Sequence, residues 1–123
     1  MTTVAVESKQ LIKDYFKALS GQPKTAELLD RYMSDPGLKE HIQTAEAGFR
    51  GYEVIDNQIV AEGDLVAVRC TFRGVHTGEF AGIPATGKRV SSDFMIFYRV
   101  SDGVIVEHWI QMDLKGIVDQ LIA

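Results

Sequence analysis

The feature that most constrains the fold of this chain is a change in the spacing of its apolar residues at Gly48. Before Gly48, apolar residues recur every three or four positions, which is the pattern of amphipathic helices. After Gly48, segments rich in Val, Ile, Phe and Thr alternate with polar residues at every second position, which is typical of half-buried strands. Helices followed by an antiparallel meander predict an α+β fold, in which the helices cover the apolar face of the sheet.

The local signals divide the chain into eight elements. Helices are predicted at 4–19, 24–33, about 38–47 and 114–122, and strands at 52–61, 65–76, 89–100 and 104–112. Asp35-Pro36-Gly37 separates the second and third helices, and Glu62-Gly63-Asp64 and Ser101-Asp102-Gly103 supply tight turns between strands. A strongly twisted sheet wrapped around a helix leaves a conical hollow at one end, and apolar hollows with a few polar groups bind small molecules.

The third strand has apolar side chains on both of its faces. Phe94, Ile96 and Tyr98 share one face, and Met95 and Phe97 share the other. A strand with two apolar faces needs two coverings. We therefore expect helices on one face and a second subunit on the other, giving a homodimer through the sheet.

The composition indicates a single globular domain spanning residues 1–123. Apolar residues make up 46% of the chain and charged residues 24%, and the formal net charge is −4. The chain has no stripe of basic residues that could bind nucleic acid, and its apolar runs are too short to span a membrane. We therefore expect no nucleic-acid or membrane partner, and we expect a cytoplasmic location. Cys70 is the single cysteine, and the spacing of His41, His76 and His108 matches no metal motif.

Two groups near the end of the chain could exchange protons. In the absence of a bulge, His108 shares a strand face with Val106, Ile110 and Met112, where a desolvated imidazole near a carboxylate could act as a general base. A buried histidine bonded to a backbone carbonyl is the structural alternative. Asp113 precedes the last helix, so it could cap that helix, or it could have a raised pKa in the cavity and transfer a proton.

Other polar residues have similar alternatives. His76 continues the apolar face of its strand and either faces the cavity or lies at the exposed strand end. Asp93 interrupts an apolar strand and needs either solvent or a partner, and an exposed strand start would supply the solvent. Glu107 could form a cross-strand ion pair with Arg99 or with Arg69.

One loop and the segment around His108 carry a family resemblance. The loop His76-Thr77-Gly78-Glu79-Phe80-Ala81-Gly82-Ile83-Pro84-Ala85-Thr86-Gly87-Lys88 has three glycines and a proline. Together with Asp102-Gly103-Val104-Ile105-Val106-Glu107-His108-Trp109 and the downstream Asp113, it resembles the SnoaL-like polyketide cyclase family. The resemblance runs from about Ile59 to Leu121.

This resemblance implies the nuclear transport factor 2-like (cystatin-like) α+β barrel fold: a cone-shaped, curved antiparallel sheet packed against N-terminal helices, commonly dimerising through the sheet. It implies an ester cyclase that closes a ring by intramolecular aldol condensation without metal or cofactor, using an acidic residue and a histidine. The motif match carries over His76, His108, Trp109 and Asp113. We assign Asp113, His108 and His76 to acid/base catalysis, and we assign a small hydrophobic molecule to a pocket formed by Trp109, Phe16, Tyr15, Asp93 and Ile96.

The leading hypothesis is a cofactor-independent acid/base enzyme that acts on a small hydrophobic carbonyl compound. The alternatives are a ketosteroid-isomerase-like isomerase or dehydratase (a lyase), an epoxide hydrolase using Asp93, Arg99 and Asp113, and a non-catalytic binding or dimerisation domain. The environment of Asp113 separates the enzyme from the binding domain. If Asp113 faces a closed cavity and has a raised pKa, the enzyme is favoured. If its carboxylate accepts hydrogen bonds from backbone N–H groups and faces water, the binding domain is favoured.

Overall fold

A computed structural model describes residues 3–123 and contains, within that range, four helices and four strands in the predicted order. The helices are α1 (Thr3–Leu19), α2 (Ala26–Tyr32), α3 (Pro36–Gly48) and α4 (Leu114–Ile122). The strands are β1 (Glu53–Glu62), β2 (Leu65–Val75), β3 (Arg89–Ser101) and β4 (Val104–Met112). The α+β class is therefore confirmed.

The four strands form one antiparallel sheet in the order β1-β2-β3-β4. The sheet is open, with β1 and β4 at its edges. A bulge in β4 shifts the pairing between Val100↔Ile105 and Arg99↔Glu107. The extra residue of a bulge changes which side chains face the core. As a result Ile105 is fully buried. Val106 does not share a face with His108, as it would in a regular strand.

Helix α3 begins two residues earlier than its apolar spacing predicts. Asp35 is the N-cap, and its Oδ1 accepts hydrogen bonds from the backbone N–H groups of Gly37 at 3.0 Å and Leu38 at 3.2 Å. Pro36 fits the first turn because its missing N–H has no partner to lose there. The break predicted at Asp35-Pro36-Gly37 is therefore the start of α3.

The helices cover one face of the sheet and form the core with it. Helix α1 packs on β1 and β2, α2 contacts β4, and α4 packs on β3. Ile12, Leu29, Val66 and Ile105 are each fully buried in the larger core cluster, and burying a side chain of this size is worth about 1.5–3 kcal/mol. Within residues 3–123, no helix combines the length and the hydropathy that crossing a bilayer requires.

The loop between β2 and β3 is fastened to the end of α3. The backbone N–H groups of Thr77 and Gly78 both donate to the carbonyl of Gly48, at 3.0 and 3.1 Å. A Cβ at position 78 would lie 2.1 Å from the carbonyl oxygen of Ala47, so only glycine fits there. This attachment brings the ring of Phe80 to 5.0 Å from that of Phe49.

Candidate functional site

A cavity of about 250 Å³ lies between the inner face of the sheet and the helices. It corresponds to the hollow that was predicted for a twisted sheet wrapped around a helix. Its walls are mostly aliphatic and aromatic, and the polar side chains among them are His41, Thr44 and three tyrosines. The lining residues are Tyr15, Leu38, His41, Ile42, Thr44, Ala45, Phe49, Tyr52, Phe72, Phe80, Phe94, Ile96, Tyr98, Ile110, Met112, Leu114 and Ile117.

Two of the tyrosines form a phenol pair at the cavity wall. The rings of Tyr15 on α1 and Tyr98 on β3 pack edge to face with centroids 5.8 Å apart. Burial raises the pKa of both phenols well above the usual value. The interaction between the two hydroxyls lowers the pKa of Tyr15 and raises that of Tyr98, but burial is the larger cause for both. The pair therefore stays protonated at neutral pH.

His41 is the imidazole that lines the cavity. It lies on α3 in the same helical stripe as Leu38, Ile42 and Ala45, which also line the cavity. Burial lowers the pKa of His41 below 6.5, and the charge of His108 lowers this pKa further. The ring is therefore neutral at pH 7, and a neutral imidazole can accept a proton from a ligand.

Beside His41, the side chain of His108 forms a short hydrogen bond with Asp35. A parallel bridge between Met33 and Ile105, with Ser34 N–H donating to Ile105 O at 2.9 Å, holds the start of α3 against β4. The Nδ1 atom of His108 lies 2.6 Å from Oδ2 of Asp35, and both side chains are largely buried. Because a carboxylate can only accept, Nδ1 carries the proton and Nε2 is the free nitrogen. The pair resembles the carboxylate–imidazole arrangement that orients histidines in acid/base sites.

Asp113 lies outside the cavity. It is the N-cap of α4, its Oδ1 accepts the N–H of Gly116 at 2.9 Å, and its side chain is exposed. This is the capping alternative that the sequence left open. A catalytic role for Asp113 stays a prediction.

His76 is fully buried beneath the β2–β3 loop and does not line the cavity. Its Nδ1 accepts the backbone N–H of Thr86 at 3.1 Å and lies 2.9 Å from the Thr86 hydroxyl. Its ring also packs against Phe49, with centroids 5.4 Å apart. These contacts fasten the loop that carries Phe80. The alternative that places His76 at an exposed strand end is therefore wrong. The contacts of His76 in the structure are structural ones.

The five residues assigned to the substrate pocket divide into three groups. Tyr15 and Ile96 line the cavity, as expected. Phe16 is buried in the core beside Tyr15 and does not reach the cavity. Asp93 and Trp109 point away from it, because strand alternation places them on the outer face of the sheet. There Asp93 accepts a hydrogen bond from Thr71, and half of the Trp109 surface is exposed.

The trio required for an epoxide hydrolase does not assemble. Arg99 binds Asp64 and Glu107, each at 3.0 Å, rather than Asp93 or Asp113. The cross-strand pair between Glu107 and Arg99 is thus the one formed, and Arg69 instead donates to Gln58. Residues 3–123 contain no group of three or more His, Cys, Asp or Glu side chains placed to hold a metal ion.

Three residues around the cavity were not predicted from the sequence. His41 could have been found from its helical spacing with Leu38 and Ala45, and Asp35 from the Asp-Pro capping signal. No sequence pattern around Lys24 indicated its role. Its side chain is completely buried, and its Nζ donates to the carbonyls of Gln22 at 2.7 Å and of Tyr52. The ammonium also lies 4.0 Å from the centre of the Tyr52 ring, so it holds one wall of the cavity.

Solved structures share this fold over almost the whole chain. A candidate SnoaL-like polyketide cyclase from Jannaschia sp. CCS1 superposes with a TM-score of 0.84 at 19% identity, covering 100% of this chain and 96% of its own. AclR, a candidate hydroxylase from Streptomyces galilaeus, gives 0.81 at 25% identity, covering 95% and 82%. IdmH, a candidate polyketide cyclase from Streptomyces antibioticus, gives 0.74 at 29% identity, covering 94% and 99%.

No curated protein matches the chain. The family model described as SnoaL-like polyketide cyclase matches residues 14–121, which include the cavity and the His108–Asp35 pair. The fold is the nuclear transport factor 2-like fold that the sequence motifs implied. The chain therefore belongs to the SnoaL-like polyketide cyclase family.

Proposed function

We propose that this protein is a cofactor-independent acid/base enzyme that acts on a small hydrophobic carbonyl compound in the cavity, with His41 as the base. The observation that carries the proposal is a neutral imidazole, His41, facing an apolar cavity that also holds protonated phenols. A base next to a donor is what proton removal beside a carbonyl requires.

In this mechanism His41 removes a proton from the carbon next to the substrate carbonyl, and the electron pair of the C–H bond moves onto the carbonyl oxygen as an enolate. The Tyr15 hydroxyl donates a hydrogen bond to that oxygen, and the hydroxyl of Tyr98 interacts with that of Tyr15. The His108–Asp35 pair lies beside His41, and the charge of His108 helps to keep the imidazole of His41 unprotonated and able to accept the proton. The enolate then attacks a second carbonyl in a cyclase, or is reprotonated in an isomerase.

The size of the cavity limits the substrate. Its volume of about 250 Å³ lies below the ~300–1,000 Å³ of typical ligand pockets. The aromatic and aliphatic walls, which include the contacting rings of Phe80 and Phe49, favour a flat, apolar molecule. We infer a monocyclic or bicyclic carbonyl compound as the substrate.

The test uses 2-tetralone, a bicyclic ketone, and follows exchange of its α-hydrogens for deuterium by NMR in heavy water. The expected result is exchange that rises with pH through an apparent pKa below 6.5, since the base must be unprotonated. Replacing the base, His41→Gln, should lower the rate by roughly 10²- to 10⁴-fold. Tyr15→Phe should lower the rate while leaving the pH profile unchanged.

Gln43→Ala is the matched control, because Gln43 lies on the solvent face of the same helix. Circular dichroism melts of each variant check that the fold is retained. A His41→Gln variant that is folded and exchanges at the wild-type rate would refute the role of His41.

The environment of Asp113 favours a second candidate function, a non-catalytic ligand-binding domain. Its side chain caps α4 and is exposed, which is the arrangement that distinguishes this alternative. Binding of 2-tetralone in the cavity, seen as chemical-shift changes of Ile96 and Ile110, without any protein-dependent exchange would support it.

We also propose that the protein forms a homodimer through the outer face of the sheet. Cross-strand pairing aligns Val60, Ala67, Phe97 and Trp109 in one row across all four strands, here called the outer row. The side chains of Val60, Phe97 and Trp109 are each about half exposed. A contiguous apolar row of this kind is a typical protein–protein contact.

A further inference from the structure

A second groove lies on the other side of Tyr52, which lines both this groove and the cavity. Its volume is about 360 Å³, and Arg50, Arg73 and Arg89 line it together with one carboxylate, Glu53. We propose that this groove binds a phosphate-bearing small molecule. The proposal does not depend on the chemistry in the cavity.

The three arginines have no partner of their own. Across residues 3–123, none of their guanidinium groups makes an ion pair or a side-chain hydrogen bond within the chain. By contrast, Arg99 binds two carboxylates and Arg69 donates to Gln58. The net charge of the chain is −4, so a groove with three cations and one carboxylate is a local reversal of the overall charge.

The strand register places two of the cations side by side. Arg73 pairs with Ser91, and Val75 pairs with Arg89, so Arg73 and Arg89 are diagonal neighbours on the same face of the sheet. Diagonal neighbours lie ~7–8 Å apart, where like charges repel each other. An anion between them removes that repulsion and accepts charge-assisted hydrogen bonds from both guanidinium groups.

The frame of the groove is held by hydrogen bonds. The backbone N–H of Arg50 donates to Thr77 Oγ1 at 3.0 Å, and that of Gly51 donates to Glu46 Oε1 at 3.0 Å. On the opposite side, the side chain of Gln120 binds both the N–H and the carbonyl of Ser91. A frame that is already ordered loses little entropy when a ligand binds.

The charges in the groove favour phosphate over a single carboxylate. Glu53 repels any anion, so net attraction requires that the arginines outweigh it. A phosphate monoester carries up to two negative charges at neutral pH and three acceptor oxygens, whereas a carboxylate carries one charge and two oxygens. Three guanidinium groups therefore match a phosphate better.

The test is an NMR titration of the protein with inorganic phosphate at constant ionic strength, with acetate as the comparison anion. Saturable shifts are expected for the Nε–H signals of Arg50, Arg73 and Arg89 and for the amide of Gly74. Arg73→Gln should weaken phosphate affinity about tenfold, as expected for losing a charge-assisted contact. Acetate should bind more weakly than phosphate.

Arg69→Gln is the matched control. Arg69 lies on the same strand and the same face as Arg73 but outside the groove, and the substitution changes the net charge equally. Its phosphate affinity should equal that of the unsubstituted protein. The proposal is overturned if millimolar phosphate gives no saturable shifts, if both variants lose affinity equally, or if acetate binds as tightly as phosphate.

Discussion

The buried ammonium of Lys24 should make the protein more stable as the pH rises from 7 to 10. Its side chain is completely buried, and its Nζ donates to the carbonyls of Gln22 and Tyr52. Burial lowers the pKa of Lys24 from 10.5 to about 8, although the charges of Glu46 at 3.7 Å and of Glu53 oppose this. The free-energy cost of desolvating the ammonium therefore exceeds the stabilisation that its charged partners provide.

The sign of the effect follows from proton counting. Between pH 8 and 10.5 the unfolded chain keeps the Lys24 proton and the folded chain has released it, so the unfolded state binds more protons. Stability then rises with pH. Each pKa unit corresponds to about 1.4 kcal/mol, and integrating from pH 7 to 10 gives an upper bound of about 2.5 kcal/mol.

Other groups act in the opposite direction. Burial raises the pKa of Tyr15, Tyr98 and Tyr52, and it raises that of Cys70 to about 12. Their unfolded forms lose protons first, which destabilises the fold at high pH. The measurement must therefore be a difference between two proteins that share these groups.

Lys24→Met provides that difference. At every pH the variant lacks the two hydrogen bonds from Nζ to the carbonyls of Gln22 and Tyr52, which costs about 0.5–1.5 kcal/mol for each bond. The Tyr52 carbonyl keeps its bond from the backbone N–H of Gly21. Urea unfolding followed by circular dichroism at pH 7 to 10 should show the wild type gaining stability relative to the variant as the pH rises. Lys17→Met, which removes an exposed lysine of α1, should follow the wild type. Parallel pH dependences of the wild type and Lys24→Met would show that Lys24 does not cause the gain in stability.

Three further substitutions test the loop, the cap and the outer row. Gly78→Ala should cost about 1–3 kcal/mol in a urea titration, because its Cβ meets the Ala47 carbonyl oxygen at 2.1 Å. Asp113→Ala should cost about 1 kcal/mol through the lost cap and leave α-proton exchange unchanged, and a rate loss at unchanged stability would restore its catalytic role. Phe97→Glu should convert a dimer into a monomer in sedimentation experiments, because it places a charge in the outer row.

Each of these substitutions has a control or a contrary outcome. Gly82→Ala adds a Cβ with nothing within 4 Å at a φ of +78°, so it isolates backbone strain from the clash at position 78. Val4→Glu makes the same kind of change as Phe97→Glu at an exposed residue of α1 and should leave the dimer intact. A wild-type protein that sediments as a monomer at micromolar concentration would exclude the sheet-face dimer.

The helices, the strands and the faces that they bury could be predicted from the sequence. The change of period at Gly48 predicted helices before strands, and the alternation of Phe94 to Tyr98 predicted which side chains of β3 face inward. These properties are local, because the neighbours along a helix or strand fix which residues share a face. The family motifs also follow from adjacent residues, which is why the family was identifiable from the sequence.

Tertiary structure alone decided the composition of the site. Asp35 and His108 are 73 positions apart and meet only because the residues after α2 pair with β4. Tyr15 and Tyr98 meet because α1 and β3 face each other across the core. The sequence left open whether Asp113 is a helix cap or a cavity residue, and in the structure it is the N-cap of α4. Local periodicity cannot fix contacts between distant elements, since these depend on how the helices pack across the sheet.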